Sequence, residues 1–198
     1  MDIDANDDGY IDAVSFVIYG EPDGWAELLW PHRWALYSED VYIHGIRVWD
    51  YMFMLSESWY FNVGVLCHEF FHVLGAPDLY HYEDTGAPSA VGGWDIMEST
   101  SQPPQYMSAF MKYKYGDWLT YIPEITESGT YTLNSLQMPE NVIYKVASPN
   151  SDTEYYVLEY RKKEGLYEIN TPGNRSGLVI YRINTEAENG NASGPPDE

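Results

Sequence analysis

The stretch CHEFFHVLGAPDLY, residues 67–80, sets two histidines and a glutamate in an almost wholly apolar run, breaks at Gly75 and returns with Asp78. An ionisable group among apolar neighbours costs several kcal/mol unless it is paired or bound. His68 and His72 stand at i and i+4, so on a helix their imidazoles lie close enough to share one metal ion. The H-E-x-x-H order is the zinc-peptidase spacing, with Glu69 one step round the helix, where it reaches a metal-bound water. Zinc lowers the pKa of that water to about 7 and polarises the peptide carbonyl that the water attacks, while the glutamate takes the proton. A catalytic zinc needs a third protein ligand and keeps its fourth position open. Asp78, ten residues past His68, completes the set if the chain reverses at Gly75; His81 and Glu98 are the alternatives.

A helix must present these groups, and residues 61–75, FNVGVLCHEFFHVLG, predict one. With His68 at zero on a wheel of about 100° per residue, His72 falls near 40° and Gly64 near −40°. Leu66, Phe70, Val63 and Val73 take the far side, and Cys67, Phe71 and Leu74 one flank. Such an all-round apolar helix is expected to be buried, with Cys67 as a core thiol. Gly64 leaves room above the helix, Gly75 suits a left-handed stop, and Pro77 prevents resumption.

VGGWDIMEST (91–100) follows at the distance of a metzincin-type turn, whose methionine, here Met97, packs beneath the metal. At the other end of the chain, DANDDGYID places Asp4, Asn6, Asp8 and Asp12 at positions 1, 3, 5 and 9 of an EF-hand-like loop. Gly9 supplies the sharp turn and Tyr10 a backbone carbonyl. Ser15 stands where the bidentate acid belongs, and a strand follows rather than a helix. The expectation is a structural calcium clamp, against a solvated acidic turn. His32 and His44 have no ligand-like spacing.

The remaining elements read as follows. Residues 9–20 predict a strand, 21–40 an irregular loop, and 41–57 a strand-like start whose YMFMLSE end is either strand or helix. A second helix is expected over 104–116. Beyond Trp118 to Pro123 the pattern changes to four short β-type runs, GTYTLNSL, NVIYKVAS, EYYVLEYR and GLVIYRIN, and the tail from Asn184 reads as flexible. The expected architecture is α+β: a catalytic domain over 1–120, with a twisted sheet over the active-site helix, then an antiparallel β-rich, sandwich-like and truncated domain over 121–198.

Composition narrows the function. A formal charge of −21 repels a phosphate backbone and an acidic membrane surface, which argues against nucleic acid as a partner. One cysteine permits no intrachain disulfide, and no apolar run of about eighteen residues predicts membrane insertion. MDIDANDDGY has neither a basic n-region nor an apolar h-region, and reads as the boundary of a piece of a longer protein.

HEFFHVLGAPDLY, GGWDIMEST, EYYVLEYR and GLVIYRIN, in that order, resemble the immune inhibitor A-like family of secreted bacterial zinc metallopeptidases, over the chain from the acidic loop to about Asn184. The resemblance implies a metzincin-like zinc endopeptidase acting on protein or peptide substrates outside the cell. It implies His68, His72 and Asp78 as zinc ligands, Glu69 as general base and Met97 in the turn, with an export signal and an inhibitory pro-segment in the full-length precursor. Many metzincins carry a tyrosine two residues after the turn methionine to stabilise the oxyanion. Ser99 occupies that place here, and Tyr106 is the nearest candidate for the role. The rival reading is an inactive zinc-binding or calcium-stabilised binding module.

Overall fold

The computed structural model describes residues 2–20, 30–57, 59–82 and 88–187. The expectations for 21–29 and for the tail from 188 fall outside them. Contacts divide the chain into two compact units, Met1–Gly75 and Ala76–Glu198. The change of sequence character near residues 118–123 therefore lies inside the second unit.

In the first unit, β1 (Tyr10–Ile11), β4 (Tyr42–Ile43) and β5 (Ile46–Val48) form one small sheet in the order β1-β5-β4. His44 and Gly45 join β4 to β5 as a two-residue turn with both φ values positive, 53° and 86°, which matches the twist of a tight hairpin. The larger sheet has β6 (Asp50–Leu55) at its centre, parallel to β2 (Val14–Ile18) and antiparallel to β3 (His32–Ala35). This resolves YMFMLSE as a strand: Met52, Met54 and Leu55 are buried between two neighbours. It also corrects part of the loop reading, because His32–Ala35 pairs along β6.

Helix α1 (Val63–Val73) lies against β3 and β6. Asn62 starts it, accepting the Val65 N–H on Oδ1 at 3.0 Å and so satisfying one orphan donor of the first turn. Gly64, Val65, His68, Glu69 and Phe71 are buried. The expectation of all-round burial does not hold, since Val63, Leu66, Phe70 and Leu74 are exposed, and so is Cys67. Apolar character alone does not bury a face; a neighbouring element must cover it, and β3 and β6 lie on one side only.

In the second unit, β7 (Tyr144–Ala147), β8 (Glu154–Arg161) and β9 (Gly177–Asn184) form an antiparallel sheet with β8 central. Three of the four expected β runs are these strands; GTYTLNSL contributes only a bridge from Ser135 to Tyr160. Helix α2 is shorter than expected, Ala109–Lys114, because Ser108 caps it with Oγ accepting the Met111 N–H at 3.3 Å. Ala109 packs with Leu136, Val142, Ile143, Val157 and Tyr181 in this unit's core. Mixed sheets with few helices fit the expected α+β class and a peptidase domain.

Helix α1 ends where the sequence places its stop. The Gly75 N–H returns to the His72 carbonyl at 3.0 Å with φ at +91°, a left-handed conformation. A Cβ at Gly75 would meet no heavy atom within 4 Å, so the demand for glycine is conformational and not steric. Gly75→Ala is expected to cost about 1–2 kcal/mol in stability, read from the urea midpoint at unchanged m-value.

Candidate metal centre

On α1 the four-residue spacing does what the wheel requires. His68 Nε2 and His72 Nε2 face each other at 3.1 Å, with the rings perpendicular and their centroids 4.7 Å apart. One ligand atom from each of His68, His72 and Asp78 lies within 4.8 Å of the others, the one such group of His, Cys, Asp or Glu among the described residues. His68 and Asp78 are buried and His72 half-buried.

This geometry can be tested against an ion. Two imidazole nitrogens each 2.0–2.1 Å from a tetrahedral zinc would stand about 3.3 Å apart. The observed 3.1 Å is close to that spacing. Two imidazoles and one carboxylate are also a donor set that zinc accepts in catalytic sites. Glu69, next along α1 and only 7% exposed, is the adjoining carboxylate.

Asp78 is fixed from its own side of the chain. Tyr82 donates its hydroxyl to Asp78 Oδ2 at 2.5 Å, a contact of the kind that orients a carboxylate toward a metal. The next residue, Leu79, donates its N–H to the Met97 carbonyl at 2.9 Å. Met97 is completely buried, as a turn methionine should be. The alternatives to Asp78 are engaged elsewhere: His81 Nε2 lies 2.9 Å from the Pro88 carbonyl, and Glu98 accepts from the Ser89 hydroxyl and the Val91 N–H.

The Met97 turn rests on groups that sequence reading passed over. Asp95, wholly buried, accepts the Met97 N–H at 2.9 Å and the Ser108 N–H at 2.7 Å; burial pushes its carboxyl above the usual range, against the pull of these amides and of Arg161. Gln105 donates to the carbonyls of Gly93 and Ser99. From β8, Arg161 Nη1 donates to the Trp94 carbonyl at 2.6 Å and Nη2 to the Tyr106 carbonyl at 3.3 Å. Glu168 holds the same guanidinium through two bonds of 2.9 and 2.8 Å, and Glu159 through one of 3.0 Å. Glu159 also accepts the Ala109 N–H at 2.8 Å and the Tyr181 hydroxyl at 2.8 Å. Its carboxyl is raised by burial while Arg161 pulls it down. The available signal was Glu159 and Arg161 two apart in a strand, on the face of buried Val157.

Tyr106 packs its ring on Tyr167, centroids 5.4 Å apart, with the Lys112 ammonium 4.6 Å from its centre. Burial and the nearby Glu168 push its phenol pKa up. The acidic loop is wired to itself. Asp4 accepts the N–H groups of Asp8 and Gly9, both at 3.0 Å; Asp8 accepts the Tyr10 N–H at 2.8 Å and the Asn6 amide at 2.9 Å; Asp12 accepts the Ala5 N–H at 3.2 Å. Tyr10 itself stands in β1. The loop's carboxylates do not join the metal-type group, so its geometry lends calcium no support. His32 Nδ1 lies 2.7 Å from the Trp30 carbonyl and His44 sits in the hairpin turn, ordinary places for both.

Comparison with known proteins bears on the same residues. Immune inhibitor A from Bacillus thuringiensis subsp. alesti is 26% identical over a 144-residue alignment that covers 58% of this chain and 20% of the relative, so the chain spans a small part of that protein's length. Residues 4–114, more than half of the chain, match the family model described as immune inhibitor A peptidase M6, catalytic domain, and contain His68, Glu69, His72, Asp78 and Met97. The chain belongs to the immune inhibitor A peptidase family through its catalytic domain.

Proposed function

We propose that this chain carries the catalytic centre of a zinc endopeptidase acting on protein substrates, with His68, His72 and Asp78 holding the metal and Glu69 as general base. The observation that carries the proposal is the convergence of the three ligand atoms within 4.8 Å beside the buried Glu69. Zinc bound there supplies Lewis acidity toward the scissile carbonyl and brings the pKa of its water to about 7. The Glu69 carboxylate takes the proton of the attacking water and delivers it to the amide nitrogen as the C–N bond breaks, so one group serves as base and then acid. Tyr106 remains the candidate donor to the oxyanion, through its phenol hydroxyl.

The wider proposal follows the family. Residues 1–120 form the catalytic domain of metzincin type and 121–198 the β-rich domain, in a secreted protein made with a pro-segment. No helix among the described residues is long and apolar enough to cross a membrane. Calcium at the acidic loop is left out of the proposal, because among the described residues the loop forms no metal-type group.

Metal content of chelator-free protein by mass spectrometry should give one zinc per chain, lost in His72→Ala and in Asp78→Ala. Zinc retained in Asp78→Ala would overturn the ligand set. Glu69→Gln should keep the zinc and lower the cleavage rate of unfolded casein by about 10²- to 10⁴-fold; full turnover in that variant would sink the mechanism. Tyr82→Phe should leave the fold intact and weaken zinc about tenfold in a competition titration with a chromophoric chelator.

A further inference from the structure

Asp78 lies beyond the end of α1 and past Gly75, so the helix that presents the two histidines does not fix it. Its position depends on the backbone of its neighbour: the Leu79 N–H meets the Met97 carbonyl at 2.9 Å. Met97 in turn is held by its own N–H on Asp95, and the preceding residue, Trp94, gives its carbonyl to Arg161. Arg161 is only 1% exposed, and its acceptors come from four separate places: Trp94 in the turn, Tyr106 before α2, Glu159 on β8 and Glu168 beyond it. Only a planar fork with several fixed donors can meet acceptors arranged in this way; an ammonium is a single point.

We propose that Arg161 is a positioning residue for the metal site, locking the Met97 turn and, through the Met97 carbonyl and the Leu79 N–H, setting where the Asp78 carboxylate stands. The inference rests on the reading that Asp78 is a metal ligand. It assigns the β-rich segment a part in building the site, although the residues identified from the sequence motif all precede it. A cluster that only stabilised the second unit would lower its stability without changing the register of residues 78 and 79 in the folded state.

Two variants separate these possibilities. Arg161→Lys keeps a buried cation beside Glu159 and Glu168 but loses the fork to the Trp94 and Tyr106 carbonyls. Arg161→Met combined with Glu159→Gln and Glu168→Gln removes the guanidinium together with both of its carboxylate partners, so that neither is left as a lone buried charge. Both are measured as full chains, below the onset of unfolding, by amide hydrogen exchange and by zinc titration against a chromophoric chelator. The expected result is at least tenfold faster exchange at Leu79, unchanged exchange in the α1 amides, and about tenfold weaker zinc binding. Introduced into an Asp78→Ala chain, where there is no carboxylate left to position, either change should cause no further loss of the residual zinc affinity. Wild-type exchange at Leu79 in either folded variant would overturn the inference, whatever the melting temperature does. A wild-type chain that takes up no zinc would refute the metal site itself, and the Leu79 exchange would still decide the role of Arg161.

Discussion

A guanidinium sealed inside a protein is costly unless each of its donors finds an acceptor, and in this chain Arg161 has found them. Burial lowers the tendency of Arg161 to hold its proton, but the bonds to Glu168 and the charge of Glu159 more than offset this, and its pKa ends above the ordinary arginine value. The carboxylates do not come out symmetrically. Glu159 and Asp95 remain raised because burial outweighs what Arg161 and the amides return. Such a cluster is weak evidence of net stability, since an apolar replacement of the same shape can be as stable. What it does supply is uniqueness: the acceptors are correctly placed in one arrangement of the Trp94 turn, the approach to α2 and β8.

That arrangement reaches the proposed site by a short route. The backbone from Trp94 to Met97 is bonded at both ends, to Arg161 at its start and to Leu79 at its finish. Asp95 sits between, accepting from Met97 and from Ser108, so the turn and the cap of α2 share one carboxylate. A shift of the turn would break several of these bonds together. The buried Met97 is held in place by its peptide groups as much as by its side chain.

The sequence made the histidine pair legible because its geometry is local. Positions i and i+4 on a helix are neighbours whatever surrounds them, and the Gly75 stop is also written in a single residue. Asp78 followed from the Gly75 reversal, three residues on. The Arg161 cluster was not legible, because Arg161 and Trp94 are 67 residues apart and Arg161 and Tyr106 are 55 apart. EYYVLEYR also misleads by alternation: Tyr156, Leu158 and Tyr160 look like the inward face, yet Val157, Glu159 and Arg161 are the buried ones. The acidic loop is a pattern that two structures can satisfy. Asp and Asn at alternate positions with a glycine serve a calcium ion or the loop's own amides equally well, and the bonds seen here are those to the amides.

The same bonds limit what the family match can mean physically. Residues 4–114 carry the whole H-E-x-x-H to Met97 sequence, but not Glu159, Arg161 or Glu168. Cut to those residues, the chain would keep the Trp94 and Tyr106 carbonyls and the Ala109 N–H and lose the partner of each. Water would replace those partners, so the loss is of the bonds that fix the Trp94 turn and the start of α2 in one geometry. Ala109 would also lose Val157 and Tyr181 from its core. The segment that carries the recognisable motif thus does not contain all the groups that hold the Trp94 turn. The β-rich part, weakest in its sequence signature, supplies the acceptors and donors that let the motif keep its shape.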